Sequence, residues 1–227
     1  MDNPTRRVFL ARSVIASVSG AHLLTARLSA TDLVLQEGSG RNLFDRMKWF
    51  NDPASAKVDG EQLIVVTRAK TDYWRKTYYG YITNNGHFYH MPFDGDFILQ
   101  ARVSGDYKAL YDQAGLMVRV DDINWMKCGL ELVDGIGHAS VVVTRDFSDW
   151  STVRGVSTKD PVWWQVVRKS DALEMFYSID GKNYISIRQG YLPMPASVQV
   201  GLMCASPEGQ GFECKFDEFR AQKATPA

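Results

Sequence analysis

An antiparallel β-sandwich is the fold class predicted for residues 44–222, and three observations carry that prediction. Short runs rich in β-branched and aromatic residues recur with a turn signal every ten or so residues. Within them, apolar and polar residues alternate with the period of a strand. No segment shows convincing 3.6-residue periodicity, and no βαβ pattern, internal repeat or low-complexity tract divides the region. A barrel would share these signals, but a single sandwich of roughly ten to fourteen strands uses the length well. With 45% hydrophobic and 12% aromatic residues, the chain has ample material for a packed core.

The elements follow in order. Residues 1–30 begin with Thr5-Arg6-Arg7-Val8-Phe9-Leu10, which resembles a bacterial twin-arginine export signal, and an apolar stretch of small residues follows. That stretch is short and interrupted by Arg12 and His22, so no membrane span is expected. Small-x-small cleavage patterns occur at Ser19-Gly20-Ala21 and, with a larger first residue, at Leu28-Ser29-Ala30. The expectation is a signal peptide over 1–30 and a periplasmic or secreted bacterial protein. Residues 31–43, with the polar stretch Gln36-Glu37-Gly38-Ser39-Gly40, read as a linker. Strands are then expected in Glu61–Thr67, Gly95–Val103, Ala114–Val120, Asn124–Val133, Ser140–Thr144, Val162–Val167, Leu173–Ile179, Tyr184–Ile187, Val198–Cys204 and Phe212–Phe219. Asp180-Gly181 is a hairpin signal between two of them.

The formal net charge is zero, so no basic field invites nucleic acid. Removal of residues 1–30 leaves 22 basic against 25 acidic residues. Three cysteines, Cys128, Cys204 and Cys214, rule out a complete internal disulfide framework. Cys204 and Cys214 fall on the last two strands, where a bridge is geometrically allowed, and buried thiols are the simpler reading. No spacing resembles a zinc site, and the His87/His90 pair reads as structural, so no metal ligands are assigned. No cofactor is expected, although the Asp121-Asp122 turn permits a structural calcium.

Three stretches carry candidate chemistry. In Lys70–Tyr81, Asp72, Trp74 and Thr77 stand among aromatic and charged residues, a mixture suited to stacking on a sugar ring and bonding its hydroxyls. In Asn124–Val133, alternation places Trp125, Lys127, Gly129 and Glu131 on one face and Met126, Cys128, Leu130 and Leu132 on the other. If the preceding strand pairs here, Gly115 and Gly129 open a shallow gutter, with Asp112 and Gln113 at its entrance. Lys127 is placed to pair with Glu131 or Asp112, which would favour an ionised Glu131. In Thr144–Ser151, read as a loop, Trp150 stands between Asp149 and Ser151.

The strings DQAGLMVRVDDINWMKCGLE, SDWS and TDYWRKTYYGY resemble a concanavalin-A-like domain-of-unknown-function family with a fungal regulation-of-enolase member. The resemblance covers about residues 44–222 and implies a jelly-roll sandwich with a concave face. By resemblance, its motif positions are Asp72, Trp74, Thr77, Asp112, Gln113, Trp125, Lys127, Glu131, Asp149, Trp150 and Ser151. The twin-arginine leader departs from the cytoplasmic fungal member. The leading expectation is a carbohydrate-binding protein whose partner is a glycan or other small polar ligand. A glycoside hydrolase or lyase, with catalytic carboxylates from Glu131, Asp112 and Asp149, and a protein-binding regulatory module remain alternatives.

Overall fold

The computed structural model describes residues 38–39 and 41–224. The expected export signal and most of the expected linker lie outside the described residues. The elements are β1 (Gly38–Ser39), the single turn α1 (Arg41–Phe44), β2 (Lys48–Phe50), β3 (Ser55–Asp59), β4 (Gln62–Val66), β5 (Tyr73–Arg75), β6 (Ile82–Asn84), β7 (His87–Asp94), β8 (Phe97–Gly105) and β9 (Gln113–Arg119). They continue with β10 (Asn124–Val133), β11 (Ile136–Arg145), β12 (Phe147–Val156), β13 (Val162–Lys169), β14 (Ala172–Ser178), β15 (Ile185–Tyr191), β16 (Ser197–Ala205) and β17 (Glu213–Lys223). No helix among the described residues is long and apolar enough to cross a membrane.

Two antiparallel sheets form the sandwich. One runs β15-β14-β13-β8-β17-β4-β3, with β1 also paired to β17, and the other runs β12-β11-β10-β9-β16-β7-β2. The main core lies between them. Met126, Cys128 and Leu130 of β10 meet Leu99, Ala101 and Val103 of β8, Trp164 and Val166 of β13, and Phe216 of β17 in one buried cluster. Leu43 and Phe44 join it. Within the expected linker 31–43, Gly38 and Ser39 form a strand opposite Ala221 and Arg220. All three cysteines are free and buried.

The expected strands are present, with two additions that shape the site. The segment expected as a loop around Trp150 is strand β12, paired with β11 from Gly137↔Val156 to Arg145↔Phe147. It is a sheet edge, exposed along most of its length, so it lacks the apolar alternation that marks a strand in sequence. The second addition is the β5–β6 hairpin, which crosses the outer face of the second sheet. Beneath it Tyr73, Trp74, Phe88, Met117, Trp125, Val142 and Met203 form a small second core.

Asp146, at the β11–β12 turn, pins that roof. Its carboxylate accepts from Arg75 Nη2 at 2.8 Å and Lys76 Nζ at 2.6 Å, and the Ser148 hydroxyl accepts from Arg75 N at 3.0 Å. The two bases hold the Asp146 carboxyl below the usual aspartate value.

Candidate functional site

Register fixes which side chains share the outer face of the second sheet. Trp125, Lys127, Gly129 and Glu131 lie opposite Arg119, Met117, Gly115 and Gln113 of β9, and opposite Thr144, Val142, Ser140 and His138 of β11. Val142 in turn faces Trp150 of β12. The expected alternation is therefore present, with Met126, Cys128 and Leu130 turned into the main core.

The openness expected of this row is corrected. Trp125 is 1% exposed, packed edge-on against Tyr73 with ring centroids 6.0 Å apart. An indole presents a large apolar surface, and the hairpin removes it from water. Trp125 therefore supports the roof and cannot stack on a ligand. In place of the expected gutter over Gly115 and Gly129, the space beside Gly129 is a slot of about 10 Å³ that Gly115 does not line.

Beyond Trp125, the row enters a polar recess. Lys127 is 4% exposed. Its ammonium donates to Gln113 Oε1 at 2.6 Å and pairs with Asp72 Oδ1 at 3.3 Å. Asp72 arrives on the roof, and its Oδ1 also accepts from Tyr73 N at 2.7 Å. Gln113 Nε2 donates to the Tyr111 carbonyl at 3.1 Å. The expected partners of Lys127 are thus corrected: the cation pairs with Asp72, a residue distant in sequence.

Asp112 is withdrawn from the site altogether. It is buried, its carboxylate accepts from Lys108 N and Ala109 N at 2.9 and 2.8 Å, and the Ser206 hydroxyl donates to it at 2.6 Å. Those bonds fix the loop before β9, and a carboxylate so used cannot serve a ligand.

Glu131 lines the same recess. Burial pushes its carboxyl above the ordinary value, against the lowering influence of Lys127 and of the Ser140 and Trp150 hydrogen bonds. This corrects the expectation that Lys127 would dominate, because desolvation of a 7% exposed carboxylate outweighs a cation that already bonds Asp72. Linkage sets the sign. Stability present below the ordinary glutamate value of 4.5 is lost as pH rises through the elevated value of Glu131. Glu131→Gln should therefore be more stable than the parent chain at about pH 8, with the advantage shrinking toward about pH 4. Urea unfolding at both pH values measures this, and parallel curves for the two proteins would refute it.

Trp150 links the recess to the exterior. Its Nε1 donates to Glu131 Oε2 at 3.0 Å and to Ser140 Oγ at 2.9 Å, while the ring stays 37% exposed. Tyr111 meets that ring edge-on at 6.3 Å. Opposite stands Trp74, whose Nε1 donates to the Thr77 carbonyl at 3.1 Å, with Tyr79 edge-on to it at 5.6 Å. Trp74, Thr77, Tyr78, Tyr79 and Trp150 wall an open groove of about 970 Å³. Behind Trp150 and Tyr79, the recess between Lys127, Glu131, Asp72 and Tyr81 has about 30 Å³ of room.

Asp149 and Ser151 flank Trp150 and bond the other sheet: Arg188 of β15 donates to Asp149 Oδ2 at 2.7 Å and to Ser151 Oγ at 3.0 Å; Asp149 also lines the groove beside Trp150. The shared Arg188 contact follows from the two-residue period of β12.

Tyr79, Tyr81, Tyr111 and Ser140 belong to the site without having been singled out in sequence. Burial and a hydrogen bond shared with Tyr79 raise the Tyr111 hydroxyl to about 12, so it stays protonated at neutral pH. Lys76, Tyr78, Tyr111 and Asp146, all around this mouth, have φ between 57 and 67°, a conformation uncommon for side-chain-bearing residues and concentrated at functional sites. His87 and His90 lie three apart on β7 and so on opposite faces; His87 Nε2 accepts from Arg68 N at 2.9 Å. At Asp121-Asp122, Asp121 caps Ile123 N and Asn124 N, and Asp122 pairs with Arg119. No cluster of three or more metal-ligating side chains occurs among the described residues.

Comparison with known proteins supplies the context. Over 172 residues the chain is 38% identical to "Regulation of enolase protein 1" of Saccharomyces cerevisiae, covering 75% of this chain and 86% of that protein. The crystal structure of a functionally unknown protein from S. cerevisiae aligns with a TM-score of 0.77 and 34% identity, over 81% of this chain and 99% of that one. At lower identity the fold is shared with the GH43 protein BlXynB from Bacillus licheniformis, with a TM-score of 0.61, 15% identity and 79% and 37% coverage. It is shared too with a Bauhinia forficata lectin in complex with GalNAc, with a TM-score of 0.54, 12% identity and 82% and 97% coverage. The chain is thus a jelly-roll β-sandwich of an architecture found in carbohydrate-associated proteins.

The expected bacterial periplasmic or secreted location is corrected by the same comparison. The sequence relatives are proteins of S. cerevisiae and Emericella nidulans, and they point away from a bacterial twin-arginine export route. The sequence also matches the family described as "Protein of unknown function (DUF1349)" over residues 49–224; with the 38% identical yeast relative, this shows that the chain belongs to that family.

Proposed function

We propose that the protein binds a carbohydrate or similar small polar ligand in the groove between the β5–β6 roof and β12. The carrying observation is Trp150: a partly exposed indole whose orientation is fixed by Glu131 and Ser140. An apolar ring held rigid at a wet surface is a pre-organised platform for a pyranose C–H face, with little side-chain entropy left to lose. Trp74 and Tyr79 form the opposing wall. The recess holds about 30 Å³, room for one water-sized group. The sugar ring therefore lies in the outer groove and inserts a single hydroxyl toward Lys127, Glu131 and Asp72. The shared fold with a GalNAc-bound lectin and a GH43 protein supports the ligand class by analogy of architecture alone.

A glycan array followed by calorimetry tests this. Trp150→Ala should weaken every detected sugar by about tenfold, the scale of one lost stacking contact. Sugars that bind equally well to this variant would end the proposal. A hydrolytic reading is favoured by one feature: a buried Glu131 with an elevated pKa shares the recess with Asp72, as an acid and a second carboxylate would. Reducing-sugar release that Glu131→Gln abolishes, with binding retained, would establish turnover.

The 38% identity to a yeast protein named for regulation of enolase favours a further reading, a regulatory role through contact with enolase. Calorimetry with purified yeast enolase distinguishes it, since that contact would be seen without any sugar present.

A further inference from the structure

The outer face of the second sheet continues past the roof, and on the far side it turns basic. Arg119 on β9 lies opposite Gln199 on β16, and His90 on β7 lies opposite Lys48 on the edge strand β2. His90 Nδ1 and Gln199 Oε1 are 2.7 Å apart. These four side chains, with Trp49 and Phe50, line a cavity of about 410 Å³, within the range of small-molecule sites. No carboxylate lines it.

The Arg119 guanidinium lies over the Phe50 ring at 4.3 Å, and its Nε is buried with no hydrogen-bond acceptor. It pairs with Asp122, whose side chain is 68% exposed, and its charge also reaches the Asp121 carboxylate. His90 is held below its ordinary value by burial and by the nearby charges of Lys48 and Arg119, against the raising influence of Gln199. Two cations and an imidazole thus face one cavity that no carboxylate lines. Such a set repels itself and is relieved by a negative group.

We propose that this second cavity binds an oxyanion, the phosphate group of a small phosphate monoester. Arg119 and Lys48 supply charge-assisted hydrogen bonds, His90 donates from Nε2 once protonated, and Trp49 and Phe50 flank the organic part. The site is separate from the Trp150 groove and does not depend on the sugar reading.

Calorimetry on the full chain at low ionic strength tests it, using inorganic phosphate, glycerol phosphate, sulfate and acetate in turn. Saturable binding of phosphate and glycerol phosphate is expected, with acetate weaker because it offers fewer acceptors. Lys48→Gln should weaken phosphate by about fivefold, the scale of one partly solvated charge contact. Asp122→Asn should strengthen it by about threefold by removing the carboxylate that competes for Arg119. Arg119→Gln should abolish it, and the two surface variants carry the test if that protein folds poorly. Sulfate, whose charge is constant, should bind more tightly at about pH 5.5 than at about pH 7.5 as His90 takes up a proton. Trp150→Ala should leave all of this unchanged. No saturation by phosphate or glycerol phosphate at about 50 mM, or binding indifferent to both Lys48→Gln and Asp122→Asn, would overturn the assignment.

Discussion

Lys127→Met is expected to destabilise the fold by about 3–5 kcal/mol, the usual cost of removing one partner from a buried ion pair. The side chains of Lys127 and Asp72 are only 5% and 12% exposed. Methionine matches the length of the lysine stem and fills its space, so the loss is electrostatic rather than a cavity. Without the ammonium, Asp72 keeps Tyr73 N–H as a donor at 2.7 Å but loses its cation, and Gln113 Oε1 loses a 2.6 Å bond.

The pair also ties the roof to the sheet, since Asp72 immediately precedes β5 and Lys127 lies within β10. The double variant Lys127→Met/Asp72→Asn should regain more than half of the lost stability, because it removes the uncompensated charge. Urea unfolding of the parent, both single variants and the double variant measures the coupling. Additive losses would show that the two groups do not act as a pair.

Gly129→Ala should cost about 3 kcal/mol, at the upper end of overpacking effects, which lowers the melting temperature by roughly 6–12 °C in a domain of this size. A Cβ built at Gly129 falls 2.2 Å from the Ala114 carbonyl oxygen and 2.8 Å from Gly115 Cα. At Gly115 it falls 2.0 Å from the Cys128 carbonyl oxygen. These obstacles are backbone, so no rotamer change relieves them, and β9 and β10 must separate beneath the recess. Gly135→Asn is the control. Gly135 has φ of 76° with open space around it, and asparagine tolerates that region, so its cost should stay below about 1 kcal/mol. Thermal unfolding compares the two, and a Gly129→Ala protein as stable as the control would contradict the close approach of the strands.

Much of the site was legible in sequence because strand parity is a local property. The row Trp125, Lys127, Gly129, Glu131 follows from alternation within one strand, and the two glycines do face one another. Trp74, Gln113, Lys127, Glu131 and Trp150 converge on one recess. Asp149 lines the groove with Trp150 while also bonding Arg188, whereas Ser151 does not line it and bonds Arg188, a distinction that a polar loop reading of β12 does not make. Asp112 resembled a site carboxylate because sequence shows a residue type and not its hydrogen-bond partners.

The sequence by itself determined the sandwich and the face to which each β10 side chain belongs. Each of these depends on periodicities of a few residues. Tertiary structure alone decided that the face is roofed, that Asp72 partners Lys127 across 55 positions of chain, and that burial overrides a nearby cation at Glu131. The physical reason is desolvation. Exposure and pairing depend on which distant segment lies over a strand, and here a short hairpin changes an open face into a buried polar recess with an aromatic mouth.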